Sequence, residues 1–135
     1  MPAFSKASED KLATCDVKLQ RVFREVVKHI DCTILEGHRG KEAQNAAVKA
    51  GNSTLTYPNG NHNAFPSKAV DVAPWPVKWD VENPETLKKW MFFVGFVLGV
   101  GKQMGIELVS GIDWDSDLNF GEHKLVDFPH FELKK

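Results

Sequence analysis

The sequence predicts an α+β domain, a small antiparallel sheet with helices packed around it, and three observations carry that expectation. Apolar residues recur at helical spacing near the start, a long apolar helix pattern occupies about 84–104, and four short runs read as strands. At 135 residues the chain fits one domain, 1–135, able to bury a core without disulfide staples. No repeat, low-complexity tract or linker marks a second domain.

Leu12, Leu19, Val22, Phe23, Val26, Val27 and Ile30 share one helical face, so a single amphipathic helix is expected over about 8–29. Lys11, Lys18, Arg21, Arg24 and Lys28 form its solvated face. Cys32 to Leu35 is a short strand, broken by Glu36-Gly37-His38-Arg39-Gly40. A helix over about 41–50 follows, with Ala43, Ala46, Ala47 and Ala50 on one side and Gly51 as its C-terminal cap. Residues 51–67 form a polar loop of a length that is usually functional or disordered. Lys68 to Ala73 reads as a strand, with Ala69 and Asp71 on one face and Val70 and Val72 on the other; Pro74 and Pro76 end it. Asn83 caps the 84–104 helix and Pro84 suits its first turn. Gly95 and Gly99 are expected to let that helix approach a neighbour closely. Ile106 to Val109 and Phe128 to Leu133 complete the strands.

Seventeen basic residues against eighteen acidic ones give no pull toward nucleic acid or an anionic membrane. Cys15 and Cys32 match no metal-knuckle or CxxC spacing and read as reduced, partly buried thiols of a cytoplasmically made chain. Trp90 to Val100 is apolar but only about half the roughly 20 residues of a membrane span, so a core helix is expected. The first ten residues show no basic segment followed by an apolar one, so no secretory signal is expected. The chain is expected to be a monomer.

Chemistry concentrates in two stretches, Asn61 to Pro74 and Asp127 to Leu133. His62, Asp71 and His130 offer neutral imidazoles and an anionic oxygen, the donors of a catalytic zinc with one position left for water. Asp71 within Ala-Val-Asp-Val-Ala is costly to bury unless paired, either with a metal or with a lysine or arginine. His130, within Phe-Pro-His-Phe-Glu-Leu, is either a ligand or a hydrogen-bonded core histidine. Glu132 lies two residues on, either orienting His130 or simply exposed. Asp127, three residues before His130, is placed to act on a water; Pro129 makes an irregular strand entry, letting both side chains converge. His29, His38 and His123 read as surface or structural, while Trp75, Trp79 and Trp114 either line a cleft or pack in the core.

These stretches resemble the D-alanyl-D-alanine carboxypeptidase-type metallopeptidases, with their SxHxxGxAxD signature and late (E/D)xxH, and within them the phage endolysin L-alanyl-D-glutamate peptidases. The resemblance runs from about Val17 to Leu133. Glu36-Gly37-His38-Arg39 with Gln44 is similar to an EGxR…Q segment, and Ala69 to Pro74 to the family's strand. Gly111-Ile112-Asp113-Trp114 resembles a GGDW turn, and Asp127 to Leu133 a DxPHFEL ending. His62 stands nine residues before Asp71, a longer spacing than in that signature, and Ser67 and Gly60 replace its glycine and serine. A two-histidine, one-carboxylate set also suits non-haem iron(II). The HxD spacing of the β-barrel iron oxygenases is not matched, which favours zinc.

The resemblance implies a zinc site at the sheet, held by His62, Asp71 and His130, and hydrolysis of the L-alanyl-D-glutamate bond of the peptidoglycan stem peptide. Asp127 would be the proton acceptor and Arg39 the oxyanion stabiliser, with an ion pair to Asp113 or Asp115 as Arg39's other role. Glu132, Gln44, Asp113 and Trp114 would support the site or bind substrate. A D-alanyl-D-alanine carboxypeptidase or dipeptidase and a non-catalytic zinc module of the same fold are the competing readings. The resemblance also implies synthesis in the bacterial host cytoplasm and action on the wall after the membrane is permeabilised.

Overall fold

A computed structural model describes residues 2–51, 53, 55, 57–120 and 126–135; His123 lies outside them. Helix α1 (Lys6–Leu12) opens where the Ser5 side chain accepts from Ser8 N–H, and α2 (Val17–Val26) where Asp16 accepts from Lys18 N–H. The single helix expected over 8–29 is therefore two. Between them the backbone turns to another partner: Asp16 N–H donates to Ser67 C=O and Ser67 N–H to Thr14 C=O, both at 2.8 Å. A tertiary pairing replaces the helical bonds that would have run through Cys15.

Strand β1 (Cys32–Glu36) leads to α3 (Lys41–Lys49), which stops where Gly51 takes φ +81°. The alanine side of α3 is not its buried face: Gln44 is the buried residue and Ala43, Ala46 and Ala50 are exposed. A single 3-10 turn, Asn61–Asn63, stands in the long loop before β2 (Ala69–Pro74). Helix α4 (Pro84–Gln103) starts on the Asn83 cap, followed by β3 (Leu108–Ser110) and β4 (His130–Leu133). Ile106 does not begin β3, because its N–H closes α4 on Gly101 C=O at 2.8 Å.

The sheet order is β1-β2-β4-β3, and each neighbouring pair is antiparallel. Helices α2 and α4 pack together and bury Phe23, Val26, Trp90, Phe93 and Val97 with Val70, Val72 and Phe131 of the sheet. Phe131 meets the rings of Phe23 and Phe93 edge-on, with centroids 5.5 and 6.2 Å away. Replacing Phe23, which is fully buried, by alanine is expected to cost about 3–5 kcal/mol. Urea denaturation checks this: the midpoint should fall at an unchanged slope.

Gly95 and Gly99 do not make the close contact expected of them; both face solvent with no atom near an added Cβ. Gly101 makes it instead: a Cβ there would lie 2.8 Å from Ile106 C=O. Cys15 and Cys32 are free and buried. On the outer side of β1, Ser8 of α1 accepts from Ile34 N–H at 3.0 Å and bonds the Thr33 hydroxyl at 3.1 Å.

Candidate metal centre and active-site cavity

Sheet register builds the centre. Asp71 pairs directly with His130 across β2 and β4, and with Glu36 across β2 and β1. An irregularity between Ile34 and Glu36 shifts the pairing by one residue and puts Glu36 in that row. The Asn61–Asn63 turn adds His62.

Asp71 Oδ1 lies 3.4 Å from both His62 Nε2 and His130 Nδ1, and the three donor atoms fall within 4.8 Å of one another. His62 Nδ1 donates to Gly37 C=O at 2.7 Å, which leaves Nε2 as the lone-pair nitrogen. Gly37 is required for that approach, because a Cβ there would lie 2.4 Å from Lys11 C=O and from the Thr14 hydroxyl oxygen. His130 Nε2 faces Glu132 Oε1 at 2.7 Å, so its Nδ1 points into the centre. His62 Nε2 and Asp71 Oδ1 are buried and make no hydrogen bond to any described residue. Two orphaned acceptors aimed at one point, with a second imidazole nitrogen beside them, are the donor set of a cation such as zinc.

The charges agree. Burial opposes the Asp71 anion, but pairing with His130 and His62 overcomes it and holds the carboxyl well below the usual range. Burial likewise opposes charge on His130, yet Asp71 and Glu132 push its pKa up to about 9. Asp127 moves the other way: burial first, then the Asp71 charge, raise it. It stands at the turn into β4, with its N–H on Gly111 C=O at 2.9 Å. A side chain on Gly111 would lie 2.1 Å from Asp127 C=O, so glycine keeps this carboxylate in place. The irregular entry at Pro129 does bring Asp127 and His130 into one cavity.

That cavity, about 830 Å³, is lined at its centre by Glu36, Arg39, His62, Asp71, Asp127 and His130. Leu35, Ala47, Leu55, Trp79, Trp114 and Phe128 add apolar surface to its lining. Trp114 also lies against the His130 ring at 5.0 Å, whereas Trp75 is exposed and outside the lining. Asp113 is likewise outside it: buried in the turn after β3, it accepts from Leu118 N–H at 2.9 Å.

Arg39 pairs with neither Asp113 nor Asp115. Its Nε and Nη2 donate to the two carboxylate oxygens of Glu36 at 3.1 and 2.9 Å, and Nη1 donates to Gln44 Oε1 at 2.9 Å. This fork leaves Nη2 3.9 Å from Asp71 Oδ2. Gln44 also accepts from Asn63 Nδ2 at 3.2 Å and donates to Leu55 C=O, tying α3 to the loop. Sequence reasoning missed Asn61 and Asn63. Asn61 Nδ2 donates to Glu132 Oε2 at 2.8 Å, and Asn63 Nδ2 to Arg39 C=O at 2.9 Å. The one available signal was the Asn-His-Asn run itself.

Residues 2–134 match the family model described as phage L-alanyl-D-glutamate peptidase. The chain is 32% identical over 117 residues to the L-alanyl-D-glutamate peptidase of Escherichia phage T5, spanning 84% of this chain and 82% of that protein. Its fold is similar to the crystal structure of the Serratia marcescens L-Ala D-Glu endopeptidase ChiX. The TM-score is 0.72 at 25% identity, over 98% of this chain and 91% of that one.

Proposed function

The chain belongs to the phage L-alanyl-D-glutamate peptidase family, and from that premise we propose that it hydrolyses the L-alanyl-D-glutamate bond of the peptidoglycan stem peptide. The observation that supports the chemistry most directly is the convergence of His62, Asp71, His130 and Asp127 in one cavity.

In this reading His62, Asp71 and His130 would hold a zinc ion. Such an ion supplies a Lewis acid and lowers the pKa of water toward neutrality. Asp127, made more basic by burial, accepts the proton of the attacking water and passes it to the leaving D-glutamyl amine. Arg39, fixed by Glu36 and Gln44, presents a guanidinium edge to the carbonyl oxygen as it gains charge. Trp79, Trp114 and Phe128, with Leu35 and Leu55, give the cavity apolar surface against which a peptide would lie. Glu132 keeps His130 in the correct tautomer. Glu132→Ala is therefore expected to weaken zinc about 10–100-fold, read by competition with a chromophoric chelator.

No helix among the described residues is long and apolar enough to cross a membrane. The protein is read as made in the host cytoplasm and reaching the wall once the membrane is permeabilised, in keeping with its phage relative.

The test is mass spectrometry of purified peptidoglycan after digestion, with and without a chelator. New amino-terminal D-glutamate, lost on chelation and restored by zinc, is the expected result. Released D-alanine would move the activity to the carboxypeptidases. Intact peptidoglycan with zinc bound would make the domain a binding module.

A further inference from the structure

Each of the three proposed ligands comes from a different segment: His62 from the turn, Asp71 from β2 and His130 from β4. One residue that none of the preceding roles includes lies in the first of these segments, bonds β4, and bonds the residue that leads into β2. Asn61 precedes His62 in the turn. Its carbonyl accepts from Lys68 N–H at 3.1 Å, beside the start of β2. Its side-chain Nδ2 donates to Glu132 Oε2 at 2.8 Å, and Glu132 turns its other oxygen to His130 Nε2 at 2.7 Å.

We propose that Asn61 is a positioning residue of the metal centre: by anchoring one oxygen of Glu132 it fixes the other on His130, and so aims His130 Nδ1 at the point shared with His62 and Asp71. This inference rests on the proposed ligand set and extends it to a residue outside that set. A glutamate held only by His130 keeps freedom about its terminal torsion, which is broad and roughly two-fold. A second anchor removes that freedom, and the amide serves because its NH₂ is a donor with no charge of its own. The contact spans 71 residues of sequence, so it is a product of the fold and not of local turn geometry. Outer partners of metal-bound histidines are worth about 10–100-fold in affinity, and a residue one step further out falls at the lower end, about tenfold.

The experiment is a zinc competition titration on the metal-free full-length protein, for the parent, Asn61→Ala, Glu132→Ala and the double variant. Thermal unfolding of each metal-free protein accompanies it. Asn61→Ala should weaken zinc about tenfold at an unchanged metal-free melting temperature, and should weaken it no further in the Glu132→Ala background. Asn61→Asp, of equal size, sets a carboxylate against Glu132 and should lose more than Asn61→Ala; it carries the test should the alanine variant not fold. Parent-like affinity in the Asn61 variants overturns the inference. So does an equal loss with and without Glu132, or a loss that only follows a fall in metal-free melting temperature. No zinc uptake by the parent overturns the ligand set itself, and the inference with it.

Discussion

Asp127→Asn is expected to lower turnover by about 10²–10⁴-fold while zinc stays bound at the parent level. Asp127 lines the cavity but is outside the group of three converging donor atoms. Its carboxyl, raised by burial and by the charge of Asp71, is better suited to take up a proton than an ordinary surface aspartate. Asparagine keeps the shape, and the backbone bond to Gly111 is indifferent to the side chain. Only proton transfer is removed. Rates of stem-peptide cleavage, paired with metal analysis of the same sample, read the two quantities separately. Parent-like turnover in a zinc-loaded variant would remove Asp127 from the mechanism.

Asp71→Ala should lose metal and turnover together. Asp71 is the one carboxylate among the three converging donors, and without it only two neutral imidazoles remain to hold a cation. The loss of zinc affinity should exceed the about 10–100-fold expected for Glu132, and cleavage should drop to background. Buried Val70 and Val72 on either side still anchor β2, so far-ultraviolet circular dichroism should not change. Retention of stoichiometric zinc would exclude Asp71 as a ligand. The two variants thus separate the proton acceptor from the metal-binding aspartate.

The sequence disclosed what is carried by local chemistry or by period. Asn83-Pro84 marked the start of α4, Gly51 the end of α3, and the alternation from Ala69 onward the central strand. His62, Asp71, His130 and Asp127 were legible because polar residues in apolar surroundings need a reason to be there. What stayed hidden depends on partners distant in the chain. The break at Cys15 is made by Ser67, and Leu12 and Leu19 keep helical phase across it, so periodicity could not reveal it. Glu36 could be quoted as part of a motif, yet its pairing with Arg39 and its place beside Asp71 follow from the shift in the β1 register. Gln44 looked like one polar position on an alanine-faced helix, but it is the residue that helix buries.

The contact of α1 with β1 bears on how copies of this protein behave when crowded. A sheet has two rims, and a bare rim offers unpaired amides to any extended chain that drifts past. Here the Ser8 hydroxyl already occupies the Ile34 amide, and α1 lies against that strand. The opposite rim, β3, is only three residues long. With one rim partly occupied by a helix and the other this short, both edges are poor templates for strand-by-strand growth.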